Sequence, residues 1–120
     1  MADIEDASDL TAFQRTILVI LAEESRYGLA IKRELEDYYD ETINHGRLYP
    51  NLDQLVEAGL VEKGEIDART NSYQLTYQGA TALREEFAWV ADRVAGVTAD
   101  RSSPTTHYIG DVYGSEEGAE

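Results

Sequence analysis

The chain has no cysteine. That removes disulfides, thiolate metal sites and thiol redox chemistry together. Lysine is nearly absent, two residues against eight arginines, and only two prolines and one tryptophan occur among 120 residues. No apolar run reaches the ~18 residues that would span a bilayer. The apolar stretch Thr16–Ala22 is too short for a signal peptide and no basic segment precedes it. The expected location is the cytoplasm, with no membrane partner. Catalytic motifs are missing as well: there is no Gly-rich phosphate loop, no helix-borne His-x-x-x-His and no nucleophile elbow. The histidines, His45 and His107, are far apart in sequence. No catalytic residue and no metal ligand set is assigned, and an enzyme is not expected.

What is abundant is acid. The formal net charge is −14. Residues 1–9 carry four acids and no base, and residues 97–120 carry five acids and one arginine, so each end contributes −4. The middle, 10–96, holds fifteen acids against nine bases. An acidic, lysine-poor surface suits a cytosol at molar salt, where the Debye length falls to ~3 Å and self-repulsion is screened. No organic cofactor is implied; K+ or other inorganic cations at the acidic surface or at a nucleic-acid interface are the expected ions. The bases are not scattered. Residues 26–33 hold Arg26, Lys32 and Arg33 with no acid, 44–52 hold Arg47 with no acid, and 63–72 hold Lys63 and Arg69 against Glu65 and Asp67. These segments carry six of the ten bases and two of the twenty-four acids, which marks one face as kept free of acid for a phosphate backbone.

The elements follow from periodicity and caps. After an acidic arm at 1–9, Ser8 and Asp9 are expected to cap a helix over Leu10–Glu23 that is apolar nearly all round in its second half. Ser25 is expected to cap a second helix, Tyr27–Tyr39, with Leu29, Ile31, Leu35 and Tyr38 inward. Asn44 caps a third that ends near Ala58 and Gly59. In it Leu48, Leu52 and Leu55 share one face, while His45, Arg47, Tyr49 and Asn51 point elsewhere. Pro50 removes one backbone bond and crowds the carbonyl of Gly46, a residue able to adjust. Leu60–Ile66 and Ser72–Leu75 read as a two-stranded hairpin. Thr76 then caps a helix over Tyr77–Ala95. The fold class expected is mainly α (α+β): a winged helix-turn-helix over 10–76, a C-terminal dimerisation helix over 77–96, and an acidic, partly disordered tail over 97–120. In such a motif the second helix of the pair enters the major groove and the hairpin reaches the neighbouring backbone or minor groove.

Four blocks carry a resemblance. Tyr27-Gly28-Leu29-Ala30-Ile31, Gly46-Arg47-Leu48-Tyr49-Pro50-Asn51-Leu52, Leu55-Val56-Glu57-Ala58-Gly59-Leu60-Val61, and Tyr73-Gln74-Leu75-Thr76 with Gly79 occur in order. Together they resemble the PadR family of transcription regulators over about residues 10–95. The single C-terminal helix resembles the smaller subgroup, in which that helix and the first one build the dimer. The acidity points to a haloarchaeal member, and the likeness implies a role in the response to reactive oxygen species. The same acidity departs from most of the family and argues against DNA binding of the ordinary low-salt kind.

The resulting expectation is a homodimer that binds a double-stranded promoter operator, two copies of the third helix entering successive major grooves about one turn apart. Arg47 and Asn51 lead as base or phosphate contacts, since Arg pairs bidentately with guanine and Asn with adenine. Tyr49 and His45 are candidates for the backbone, as are Arg26, Lys32 and Arg33. Lys63 and Arg69 belong to the wing, Arg69 at its tip. Leu83, Phe87, Val90 and Val94 follow heptad-like spacing, and with Phe13, Ile17 and Ile20 they are the expected dimer interface. A small-molecule effector is implied by the resemblance, with Trp89, Phe87 and Tyr108 as candidate lining, and His107 with Asp111 is a weaker candidate cation site. The rival reading is a winged-helix interaction module without specific DNA binding.

Overall fold

The computed structural model describes residues 4–5, 7–67 and 70–98. A 3-10 turn at Ala7–Asp9 leads to α1 (Ala12–Glu23), β1 (Arg26–Tyr27), α2 (Gly28–Tyr39), α3 (His45–Glu57), β2 (Val61–Asp67), β3 (Thr70–Leu75) and α4 (Tyr77–Thr98). The expected mainly α winged helix-turn-helix is present: α2 and α3 form the helix pair, and β2 and β3 form the wing. No helix among the described residues is long and apolar enough to cross a membrane. The chain forms two compact units, one running to Glu86 and one beginning at Phe87, and residues of α4 belong to both.

The first helix starts later than Ser8 or Asp9 would allow. Thr11 is its cap: Thr11 Oγ1 accepts from Gln14 N at 3.1 Å, and Gln14 Oε1 accepts from Thr11 N at 3.0 Å. This reciprocal capping box satisfies two end donors together. Ser25 does not cap α2 either. The cap position is Tyr27, which makes no side-chain cap bond, because Arg26 and Tyr27 are committed to pairing with Tyr73 and Ser72. The sheet therefore has three antiparallel strands in the order β1-β3-β2, rather than two. β3 starts at Thr70, two residues before the expected Ser72, and the ladder shifts between Glu65 and Asp67.

One core joins these elements. Ile17, Leu18, Ile31, Leu35, Leu48, Leu52 and Leu55 have no exposed surface, and Ile43, Val61 and Tyr73 are nearly as covered. Ile4 packs on this core, so the N-terminal segment is attached from that point. Two residues expected inside α2 are outside: Leu29 is 51% and Tyr38 70% exposed. Ile31 and Leu35, one turn apart, suffice to fill the space beneath that helix.

The end of α3 is locked to the start of α4. Leu60 N donates to Leu55 O and Gly59 N to Val56 O, both at 3.0 Å, with Gly59 at φ 81°. That is a Schellman turn, and its positive φ suits glycine. Thr76 caps α4 as expected, accepting from Gly79 N at 3.0 Å, and its hydroxyl also donates to Gly59 O at 2.7 Å. Gly79 lies against the Leu60 carbonyl, so a Cβ there would strike backbone oxygen and the Leu75 side chain. Backbone cannot rotate away. Gly79→Ala is therefore expected to destabilise the fold by about 1–3 kcal/mol through overpacking, read as a lower urea midpoint at unchanged slope; an unchanged midpoint would show that the α3–α4 junction yields freely.

Candidate nucleic-acid interface

The site is built from the α2–α3 connection outward. Asp40 ends α2 in the left-handed region at φ 56°, ψ 44°, its N–H bonded to Glu36 O; aspartate tolerates that conformation better than most residues. Glu36 Oε2 then accepts from Lys32 Nζ at 2.8 Å and from Ile43 N at 3.0 Å. This carboxylate ties the connection to α2 and leaves Ile43 in the core. The Lys32 hydrogen bond, then that of Ile43, hold the Glu36 carboxyl below its ordinary 4.5. Asn44 opens α3 as expected, its Oδ1 accepting from Arg47 N at 2.9 Å.

With 3.6 residues per turn, α3 presents separate faces. Leu48, Leu52 and Leu55 face the core. Arg47, Asn51 and Gln54 recur at i, i+4 and i+7 and all meet α1. Gln14 Nε2 donates to Asn51 Oδ1 at 3.0 Å and to Gln54 Oε1 at 2.8 Å. Asn51 Nδ2 donates to Arg47 O at 2.8 Å. The Arg47 guanidinium lies 4.0 Å above the Phe13 ring and 5.9 Å from that of Tyr39, with Glu41 at 3.6 Å. A third face exposes Gly46, Pro50, Asp53 and Glu57. His45 and Tyr49 stack at 5.3 Å with 17° between their planes, and the Tyr49 hydroxyl rests against Gly28.

The expected contact residues are thus in different states. Asn51 has both ends of its amide occupied within the chain. Arg26 has a mostly buried side chain ringed by carboxylates, with Glu23 at 2.8 Å, Glu34 at 3.6 Å and Glu24 at 3.8 Å. Lys32 is bound to Glu36. Arg33, Lys63 and His45 are exposed, and none of the three forms an ion pair among the described residues. Sheet register sets Lys63, Tyr73 and Arg26 in one row, with burial pushing the Tyr73 phenol up. Arg69, Tyr108 and the pair His107 and Asp111 lie outside the described residues. Among the expected interface residues, Phe13, Ile17 and Ile20 of α1 and Leu83 of α4 are buried within their own chain; α2, α3 and β3 pack on α1. Phe87, Val90 and Val94 are exposed, as is Trp89, under the Arg93 guanidinium at 4.1 Å.

Three functional side chains were not singled out from the sequence. Gln14 is announced by its capping box with Thr11. Glu36 has a local signal only in Lys32, four residues before it on α2; its bond to Ile43, and the Glu41 pair with Arg47, are found only once the turn is closed. Beside the first turns of α4, a cleft of about 310 Å³ is lined by Ile4, Leu60, Thr81 and Ala82 among others, and the buried Thr81 hydroxyl has no hydrogen-bond partner among the described residues.

A family model described as the transcriptional regulator PadR-like family matches residues 17–85. Among solved structures, RosR of Halobacterium salinarum grown from NaBr is 55% identical at a TM-score of 0.70, covering 81% of this chain and 97% of that one. The RosR-S1 complex matches with the same identity and score over 82% and 96%. A PadR-like transcription factor from Bacteroides fragilis, 22% identical at a TM-score of 0.62 over 72% and 86%, shows the shared fold. No curated protein matches.

The Glu36 latch has a pH signature. A carboxyl whose folded value is depressed stabilises the fold above its unfolded value, and that contribution disappears as pH falls through the folded one. Glu36→Gln is expected to lower the urea midpoint near neutral pH, and the gap from wild type should narrow as pH drops below 4.5. A gap that stays constant through that range would mean the carboxylate charge contributes nothing.

Proposed function

The chain belongs to the PadR-like family of transcriptional regulators, and from that premise we propose that it is a sequence-specific DNA-binding regulator, haloarchaeal in origin and cytoplasmic, that works as a homodimer in molar salt. The observation that carries this reading is the outer surface of α3. In a chain of net charge −14, residues 44–52 contain no acid, and Gly46, Arg47 and Pro50 are exposed in the first half of that helix. A recognition helix meets base edges with its N-terminal residues. Arg47 is assigned to phosphate or guanine, His45 and Tyr49 to the backbone, and Arg33 and Lys63 to flanking phosphates. Arg26 and Lys32 join only by exchanging carboxylate for phosphate. Asn51, held by Gln14 and by Arg47 O, is assigned to fixing α3 rather than to reading a base.

Dimerisation is supported by Phe87, Val90, Val94 and Val97, exposed at 64%, 41%, 47% and 52% and spaced by three, four and three. Such a seam suits a helix of a second copy. A role in the response to reactive oxygen species would have to act without a thiol, through another group or through dimer or cation occupancy.

Salt provides the sharpest consequence. A basic protein releases cations from DNA and loses affinity as salt rises. Here phosphate displaces Glu41 from Arg47 and Glu36 from Lys32, and each freed carboxylate takes up a cation such as K+. Uptake offsets release. Titrating promoter and unrelated DNA at about 0.5 M and about 2 M KCl should give specific binding with a shallow or reversed salt slope. Arg47→Ala should weaken it by ~1–3 kcal/mol with the dimer intact by sedimentation. A steep loss toward molar salt would contradict the cation exchange. Equal binding by the variant would remove Arg47 from the interface, and no preference for the promoter at either salt would favour an interaction module.

A further inference from the structure

We infer that sequence is read chiefly by contact rather than by hydrogen bonds: the bare Gly46–Pro50 face of α3 seats against base edges, with the Pro50 ring on a thymine methyl group. This rests on the DNA-binding role proposed above and names the residues that set its specificity.

The starting point is an oddity of composition on one face. Gly46 and Pro50 are one turn apart, both exposed, and both are poor helix formers. The chain's own packing requires neither. Outside the helix's own backbone, a Cβ built on Gly46 would meet only Asn44 Oδ1, at 3.4 Å, and no side-chain atom of Pro50 lies within 4 Å of it. The backbone of Gly46 is not in the left-handed region either, since Gly59 is the one glycine with positive φ among the described residues. So Gly46 is not needed for a turn or to make room for a close internal contact at its Cβ position. Pro50 is exposed rather than buried in the core.

Of the side chains expected to read bases, Asn51 is engaged inside the chain, and Arg47, though exposed, is shared with Phe13 and Glu41. Arg47, Asn51 and Gln54 face α1, and each end of the Asn51 amide already holds one bond within the chain. Beside the exposed His45 and Arg47, the first half of α3 turns outward a Gly46–Pro50 strip without long side chains, which lets the helix backbone approach the groove floor closely. Apolar contact with the C5-methyl is an established way of telling thymine from other bases in the major groove. Proline offers a rigid apolar ring for it. Beyond Pro50 the same face carries Asp53 and Glu57, both exposed. Their charge repels phosphate and limits close approach to the helix N-terminal half.

The test uses the full-length protein, fragments of its own promoter and unrelated DNA, with thymines of the promoter replaced one at a time by deoxyuridine, which lacks the methyl. Wild type should lose about fourfold in affinity at one or more thymines, the worth of one buried carbon group. Pro50→Ala should bind the thymine and uracil versions equally. Gly46→Ala should melt at the same or a higher temperature, yet bind promoter DNA more weakly because its Cβ enters the contact. Specific binding with no uracil effect, or a uracil penalty that survives Pro50→Ala, would overturn the contact reading alone. A Gly46→Ala protein that melts lower would show that the glycine serves the fold. Loss of promoter preference in wild type itself would overturn the DNA-binding role beneath it.

Discussion

The orientation of α3 depends on one buried amide. Gln14 is 2% exposed, the one buried side-chain amide among the described residues, and it bonds to the backbone of Thr11 and to Asn51 and Gln54 in the middle of α3. Each such bond contributes ~0.5–1.5 kcal/mol net, but a buried amide stripped of its partners costs ~1–3 kcal/mol. The asymmetry makes the clamp all-or-none. With Phe13 beneath Arg47 one residue away, the first turn of α1 grips the polar stripe of α3. The leucines bury that helix without fixing its rotation; the amides fix its rotation.

From that clamp the remaining parts take their places. The Schellman turn at Gly59, bridged to α4 by Thr76, sets the far end of α3 and starts the wing. The Glu36 latch sets its near end. Between them the helix is held at three points, and a surface low in side chains is turned outward. The charges follow the same logic. Six carboxylates, Glu23, Glu24, Glu34, Glu36, Glu41 and Glu86, stand within 4.0 Å of a base, so the basic face is partly neutralised from within. At molar salt, with a Debye length of ~3 Å, the looser of these pairs are weak and can be exchanged for phosphate.

Much of the fold was legible because its signals are local. Asn44 before α3 and Gly59 after it bound that helix correctly, and Thr76 announced α4. Ser8 and Asp9 were expected to cap α1; the cap is Thr11, and the sequence feature that marks it is Gln14 three residues later. β1 was not legible: two residues have no periodicity, and their pairing with β3 is created by the tertiary fold. The basic face was visible as composition, but which bases are free was not. Arg26 looks like Arg33 in sequence, and only the folded chain shows three carboxylates around one and, among the described residues, none within ion-pair distance of the other. Asn51 invited a base-reading role by residue type; its partner stands 37 residues away at Gln14.

The most direct measurement is an NMR titration of the protein with promoter DNA, following the side-chain amides of Gln14 and Asn51 and the backbone amide of Gly46. The Gly46 amide should shift strongly while the two side-chain amides stay in place, their internal bonds kept in the complex. Large shifts at Asn51 and Gln14 with Gly46 unmoved would mean that the clamp opens on binding and that the polar stripe, rather than the bare face, meets the DNA.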